Sequence, residues 1–293
     1  MLQQEYSSEP EDRHLAQQRP GPPARELFIY YLQGRLDPWS SFQNEPDYLG
    51  TWVEDDLSFV FFRAQALERI QDCLKTRPWL QLQDSFQISY AEWLGHEMRT
   101  YQAASWRIIP AWESDQATCS QDILLDPGLV FGSGQHQTTM DCLQALDWVL
   151  KKGGEQSVLD LGTGSGLLAL AAAHAGCRPV LALDLNPLAA RTARRNVCLN
   201  QLQKRILILQ ARAQDYAAQA ADILLANLHF QALQEVIRSG NLQNKKWLII
   251  SGLLGTQGLQ IYRDLQQSPA LEGLWIWSRQ EDWITLIGRT KKH

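Results

Sequence analysis

No apolar run in this sequence approaches the roughly 20 residues that a membrane-spanning helix needs, so no span is expected. The opening stretch, Met1-Leu-Gln-Gln-Glu-Tyr6, lacks both the basic start and the apolar core of a secretory signal. Cysteine is sparse. Cys73, Cys119, Cys142, Cys177 and Cys198 lie far apart and form no C-x-x-C pair, which reads as reduced cytosolic thiols and argues against a zinc site. A cytoplasmic protein without a metal is therefore expected. An excess of basic residues is also missing: the formal net charge is −5, unlike a general nucleic-acid binder. Neither nucleic acid nor membrane is expected as a direct partner, whereas a basic protein would suit the charge. Internal repeats are absent too.

One further absence is more specific. Val158 to Gly166 reads Val-Leu-Asp-Leu-Gly-Thr-Gly-Ser-Gly, an apolar strand running into a glycine-rich turn, and a second apolar strand, Val180 to Asp184, ends in an acid. Such a unit binds an adenosine-containing cofactor, with the glycines allowing close backbone approach and Asp184 accepting bonds from the ribose hydroxyls. A dinucleotide site wants G-x-G-x-x-G, but Leu167 stands where its third glycine would be, and Gly162, Gly164 and Gly166 spell G-x-G-x-G instead. Asp160, two residues before the first glycine, suits a cofactor carrying an ammonium group and would repel a pyrophosphate. Both points favour S-adenosylmethionine over NAD, and weigh against a dehydrogenase or a silent binding protein.

Along the chain, residues 1–23 are polar and proline-rich and are expected to be a disordered tail. Residues 24–92 read β-β-β-α-β, a small α+β domain like a ferredoxin-like fold short of its first helix. Residues 93–118 are expected to be a linker. From there to residue 293 strands and helices alternate, and two final strands with no room for a crossover helix should form a hairpin. That predicts a seven-stranded, mostly parallel, Rossmann-like methyltransferase sheet with one reversed strand. Every expected cofactor contact lies beyond about Cys119, so this part should bind the cofactor alone. Tryptophan is abundant at eleven residues, most of them outside the glycine-rich core.

Two other segments carry chemistry. Leu125 to Thr139 reads Leu-Asp-Pro-Gly-Leu-Val-Phe-Gly-Ser-Gly-Gln-His-Gln-Thr-Thr, a glycine-rich stretch with Phe131, His136 and two threonines at a helix entrance. A loop folding over a ligand has this composition, and a threonine hydroxyl there can bond the cofactor's carboxylate. Asn227 ends the fourth strand of the sheet, on the same edge as Gly162 and Asp184, where its amide can accept a bond from an incoming amine. Asp215, shortly after the third strand, could bond the adenine amino group, with a solvated loop acid the competing reading. His136 reads equally as a structural hydrogen-bonding residue, and His229 as one that packs or caps.

Together these segments resemble the ribosomal protein L11 methyltransferase family. The likeness rests on the Leu125–Thr139 loop, on Ala226-Asn-Leu followed by Ser251-Gly-Leu-Leu, on the ending Glu281-Asp-Trp-Ile-Thr-Leu-Ile-Gly-Arg289 and on Ser105-Trp-Arg-Ile-Ile-Pro-Ala-Trp112. The resemblance implies a two-domain protein-lysine methyltransferase whose N-terminal domain recognises the protein substrate. It implies S-adenosylmethionine contacts at Thr139, Gly162, Asp184 and Asn227, and amines of a ribosomal protein, free rather than assembled, as acceptors. The alternative is a methyltransferase of the same fold acting on another protein or a small molecule.

Overall fold

The computed structural model describes residues 22, 24–37, 42–239, 242–280 and 282–291. The expected tail, apart from Pro22, lies outside the described residues, as do Trp39 and Glu281.

The N-terminal part forms β1 (Glu26–Gln33), β2 (Tyr48–Glu54), β3 (Leu57–Phe62), α1 (Leu67–Lys75) and β4 (Gln81–Ser89). The strands make one antiparallel sheet in the order β2-β3-β1-β4. Alternation along β1 sends Tyr30 and Leu32 to one face and Leu27 and Ile29 to the other. The first face packs on Ile70 and Cys73 of α1 and on Phe62. Helix α1 follows Ala66, whose amide has no acceptor within the helix and donates instead to the Tyr30 hydroxyl at 2.7 Å.

The expected linker, residues 93–118, is instead structured, which corrects that reading. Helix α2 (Tyr90–Leu94) is closed by a capping box between Ser89 and Glu92 and ends on left-handed Gly95. Strands β5 (Tyr101–Ala103), β6 (Trp106–Pro110) and β7 (Asp122–Leu125) form a separate sheet in which β6 pairs with β7 in parallel. These strands are only three to five residues long, too short to show a period. Trp106 is buried, and Arg107 grips Asp122 through two bonds of 2.9 and 2.7 Å that hold its carboxyl well below the usual range.

The third sheet has the expected seven strands. After α3 (Gln137–Leu150) come β8 (Val158–Leu161), α4 (Leu167–His174), β9 (Val180–Asp184), α5 (Pro187–Leu199) and β10 (Ile206–Gln210). Then follow α6 (Ala213–Tyr216), β11 (Ile223–Asn227), α7 (Phe230–Ser239), β12 (Trp247–Leu254), α8 (Gly255–Gln266), β13 (Leu271–Gln280) and β14 (Trp283–Thr290). The order is β10-β9-β8-β11-β12-β14-β13, with β14 reversed between β12 and β13. This is the Rossmann-like methyltransferase sheet. Central β8 is buried at all four positions, as expected for a strand covered on both faces. Strand order reverses between β8 and β11, and the crevice at such a switch point, beyond the carboxyl ends of the strands, is where ligands bind in open sheets. No helix among the described residues is long and apolar enough to cross a membrane.

The two larger parts meet on one apolar cluster. Leu27, Ile29 and Phe61 of the N-terminal sheet pack with Leu129, Val130, Leu188 and Ala189. Gly50 lies at this contact, where a Cβ would fall 2.8 Å from a terminal methyl of Leu188, so a side chain there would make that leucine shift.

Candidate functional site

Two walls enclose the crevice. One is the turn from β8 into α4. Gly162, Gly164 and Gly166 have φ of 74°, 55° and 88°, a region that a side chain disfavours. Space forbids a side chain as well: a Cβ on Gly162 would lie 2.2 Å from Leu228, and one on Gly164 2.5 Å from the Phe131 carbonyl. Half-buried Asp184 closes this wall. Its Oδ2 accepts from the Gly164 amide at 3.0 Å and its Oδ1 from the Asn186 amide at 2.9 Å. Burial pushes the Asp184 carboxyl up, against the pull of these amides. Each of its oxygens keeps lone-pair capacity for one more donor.

Asp160 lies beneath the same turn and is fully buried. Its Oδ2 accepts from the Thr163 hydroxyl at 2.6 Å, while its Oδ1 has no hydrogen-bond partner among the described residues. Burial pushes its pKa up to about 7; the Thr163 hydroxyl opposes this, the Asp184 charge adds to it and the Ala169 amide opposes it weakly.

The other wall is the loop 126–136. Its shape is set by residues from three other regions. The Tyr90 hydroxyl donates to the Gly128 carbonyl at 2.7 Å, the Trp93 indole to Leu129 at 3.3 Å and the Tyr101 hydroxyl to Ser133 at 2.8 Å. Gly134 exists for Tyr101: a Cβ there would fall 1.8 Å from the hydroxyl oxygen. Buried Asp126 pairs with Arg195 at 2.9 Å, which opposes the upward push of burial on its carboxyl. Asn196, fully buried, ties the walls together. It bonds both backbone groups of Asp126, at 2.9 and 2.8 Å, and donates to Ser165 of the turn at 2.8 Å. Ser165 completes the join with its amide on the Phe131 carbonyl at 3.0 Å.

The walls converge on Asn227. Its Nδ2 donates to the hydroxyls of Thr138 and Thr139, at 3.3 and 3.5 Å, in the first turn of α3. The Asn227 Oδ1 faces Gly252, where a Cβ would lie 3.0 Å away. His136 caps α3, with Nδ1 2.9 Å from the Thr138 hydroxyl and its ring between Phe131 and Trp283, at centroid distances of 5.2 and 5.1 Å. Behind Asn227, Ser251 meets Thr285 at 2.6 Å, and Thr285 donates to buried Asp141 at 3.2 Å.

The structure thus gathers Asp160, Gly162, Gly164, Gly166 and Asp184 on one wall and Phe131 on the other. It brings Thr139 to Asn227 where they meet. Asp215 is exposed on short α6, just beyond the end of β10, with no hydrogen bond to the other expected site residues. His229 accepts from the Ala232 amide at 3.4 Å, the capping reading. Asn196, Tyr101 and Gly252 escaped the reading of the sequence, and Thr138 entered it only as one of two threonines at a helix entrance. Asn196 and Tyr101 had no signal, because their partners lie 70 and 32 residues away. Among the described residues no group of three or more His, Cys, Asp or Glu is placed to hold a metal ion.

The chain is similar to known proteins in sequence and in fold. The family model described as ribosomal protein L11 methyltransferase (PrmA) matches residues 37–291. A protein of that name from Streptococcus equi subsp. zooepidemicus (strain MGCS10565) is 31% identical over 241 residues, covering 76% of this chain and 75% of its own. Another, from Anoxybacillus flavithermus, is 34% identical over 188 residues, and there the alignment spans 58% of the relative's length. A crystal structure of ribosomal protein L11 methylase from Lactobacillus delbrueckii subsp. bulgaricus superposes with a TM-score of 0.54 at 26% identity, covering 66% of this chain and all of that one. The match across most of the sequence, with the two-walled crevice, identifies this chain as a member of the ribosomal protein L11 methyltransferase family.

Proposed function

We propose that the protein is a cytoplasmic methyltransferase that uses S-adenosylmethionine to methylate amino groups of free ribosomal protein L11, with residues 24–92 recognising the substrate. The observation that carries the reading is the junction at Asn227, where an uncharged acceptor is fixed between a cofactor-type turn and a loop that closes over it. The residues present fit the cofactor. The orphaned Oδ1 of Asp160 calls for a positive group such as the ammonium of an amino acid, the glycine turn admits backbone-close contact, and Asp184 retains lone pairs for two ribose hydroxyls. When bound, the cofactor would supply an activated methyl group on a sulfonium.

The chain's own part is positioning. With Nδ2 committed to Thr138 and Thr139, Asn227 has Oδ1 left to accept from an approaching amine, and Gly252 leaves the space for it. A free lysine has a pKa of about 10.4, so the acceptor must lose a proton before it reacts. Asn227 adds no negative charge that would favour the protonated form. His136 is engaged as a helix cap and His229 caps α7, so the lost proton passes to solvent in this reading. Phe131 forms a half-exposed lip, and Asp215, exposed just beyond the end of β10, would serve at the adenine end in this reading.

The test is transfer of labelled methyl groups from S-adenosylmethionine to purified L11, presented free and within assembled large subunits, and to a whole lysate. Label in free L11 supports the reading. Label only in another band, or in a small molecule, favours the same-fold alternative. No transfer to any acceptor would refute the activity.

A further inference from the structure

At the far end of α3 from Asn227 lies a second pocket, of about 480 Å³, in the size range of small-molecule sites. Trp148 and Lys152 line it from the last turn of α3 and beyond, Trp247 from the start of β12, Trp275 and Trp277 from edge strand β13, and Arg289 from the end of β14. Thr139 and Trp148 are nine residues apart on one helix, about 14 Å along its axis at 1.5 Å per residue, so the pocket is separate from the crevice.

The rings are arranged, not merely collected. Trp148 stands edge-on to Trp247 at 5.7 Å between centroids and tilts against Trp277 at 5.4 Å. The Trp247 indole is anchored on Glu155 at 3.0 Å. The pairing of β13 with β14 shifts register between Ile276 and Ser278, so Trp277 is the extra residue of a bulge, a device that re-aims side chains. Gly273 gives Trp275 its seat: a Cβ there would lie 2.4 Å from the indole ring. Trp275 nevertheless stays 47% exposed and Trp148 36%, a large apolar area to leave in water.

The charges decide the occupant. Lys152 Nζ sits 3.7 Å from the centroid of Trp148, and the Arg289 guanidinium 5.3 Å from that of Trp247. A cationic ligand such as a methylated ammonium would find these two faces taken and would be repelled. Arg289 is balanced by Glu272 at 2.7 Å, whereas Lys152 has no ion-pair partner among the described residues. The pocket therefore offers flat aromatic walls and one uncompensated positive charge. The overall charge of −5 disfavours a long polyanion but does not oppose a single phosphate held locally. We infer that this tryptophan pocket is a second ligand site that takes a free purine mononucleotide, its base stacked on Trp275 and its phosphate on Lys152.

The probe is guanosine monophosphate, followed by quenching of tryptophan fluorescence and by calorimetry on the full chain. Saturable binding is expected. It should weaken about tenfold or more in Trp275→Ala, the usual effect of removing one stacking ring, and comparably in Lys152→Glu. It should persist in Asp184→Ala, because the crevice is not involved. Guanosine without phosphate and inorganic phosphate without base should each bind far more weakly than the nucleotide. Both substituted side chains are substantially solvent-exposed or at the pocket rim, and circular dichroism reports whether each variant keeps its fold. No saturable binding at millimolar nucleotide, binding indifferent to both pocket variants, or binding lost in Asp184→Ala would each overturn the inference. Preferential binding of trimethyllysine would overturn it too, in favour of a cation cage.

Discussion

The two walls of the crevice are built on opposite principles. The turn wall is local: Asp160, the three glycines and Asp184 lie within 25 residues and bond mainly to one another and to the strands that carry them. The loop wall is held from outside, by Tyr90, Trp93, Tyr101 and Asn196, each 32 to 70 residues away in sequence. A local wall needs only its strands to form. A remote wall needs the rest of the protein, and this makes the N-terminal half part of the crevice as well as a candidate substrate reader.

Truncation breaks the comparison most severely. A fragment from Cys119 onward was expected from the sequence to bind cofactor alone. The structure argues otherwise, since the cut removes Tyr90, Trp93 and Tyr101, strips β6 from β7 and uncovers Leu129, Val130, Leu188 and Ala189. We expect the fragment to bind a hydrophobic dye and to show no measurable affinity for S-adenosylmethionine by calorimetry. Parent-like affinity would mean that the loop wall stands without its outside supports.

The next effect lies on the local wall. Asp184→Ala removes the acceptor expected to take the ribose hydroxyls and also releases the amides of Gly164 and Asn186. Cofactor affinity should fall by roughly 1.5–3 kcal/mol, the worth of hydrogen bonds to a charged group. Unchanged affinity would remove Asp184 from the ribose site.

Asn227 belongs to both walls. Asn227→Ala should lower turnover by roughly tenfold while leaving cofactor affinity nearly intact, because the lost bond strengthens in the transition state. Asn227→Asp is sharper: an added negative charge favours the protonated amine, so turnover should fall at neutral pH and recover in part as pH rises. Parent-like rates in both variants would make Asn227 a turn residue.

What could be read in the sequence follows the same division. The strands of the seven-stranded sheet, the glycine turn and Asp184 were legible because period and spacing encode them within a few residues. The capping box at Ser89 and Glu92 with Gly95 behind it is also written locally, yet no helix was expected there, because the expected boundary between the N-terminal domain and the linker falls inside that helix, after residue 92. The clasp of Tyr101 on Ser133 and the pair of hydrogen bonds between Asn196 and the Asp126 backbone were not legible, because nothing at either residue names its distant partner. The tryptophan excess was visible, but the assembly of four of them around one pocket depends on the reversed strand and its bulge.

A milder probe of the remote wall is Tyr101→Phe, which deletes one hydroxyl and keeps the ring. The Ser133 carbonyl loses its 2.8 Å partner. Cofactor affinity should fall by about 1 kcal/mol, the net worth of one neutral hydrogen bond, with the fold retained. An unchanged affinity would show that the loop does not depend on that clasp.

The smallest effect is a pH dependence confined to the local wall. Without cofactor, Asp160 has its pKa pushed up to about 7 by burial, so at neutral pH it is about half protonated. An ammonium brought to its free oxygen would favour the charged form, and binding would then release about half a proton at pH 7. Calorimetry in buffers of different ionisation enthalpy reads that release directly, and affinity should rise between roughly pH 6 and 8. The folded-state value lies above the ordinary carboxylate value of about 3.9, so the folded chain holds more protons than the unfolded one between about pH 4 and 7. The contribution of Asp160 to stability therefore falls as pH rises through that window. Asp160→Asn should flatten both dependences while binding more weakly at pH 8. If the variant releases as many protons as the parent, the ammonium is not held by Asp160 and the local wall ends at Asp184.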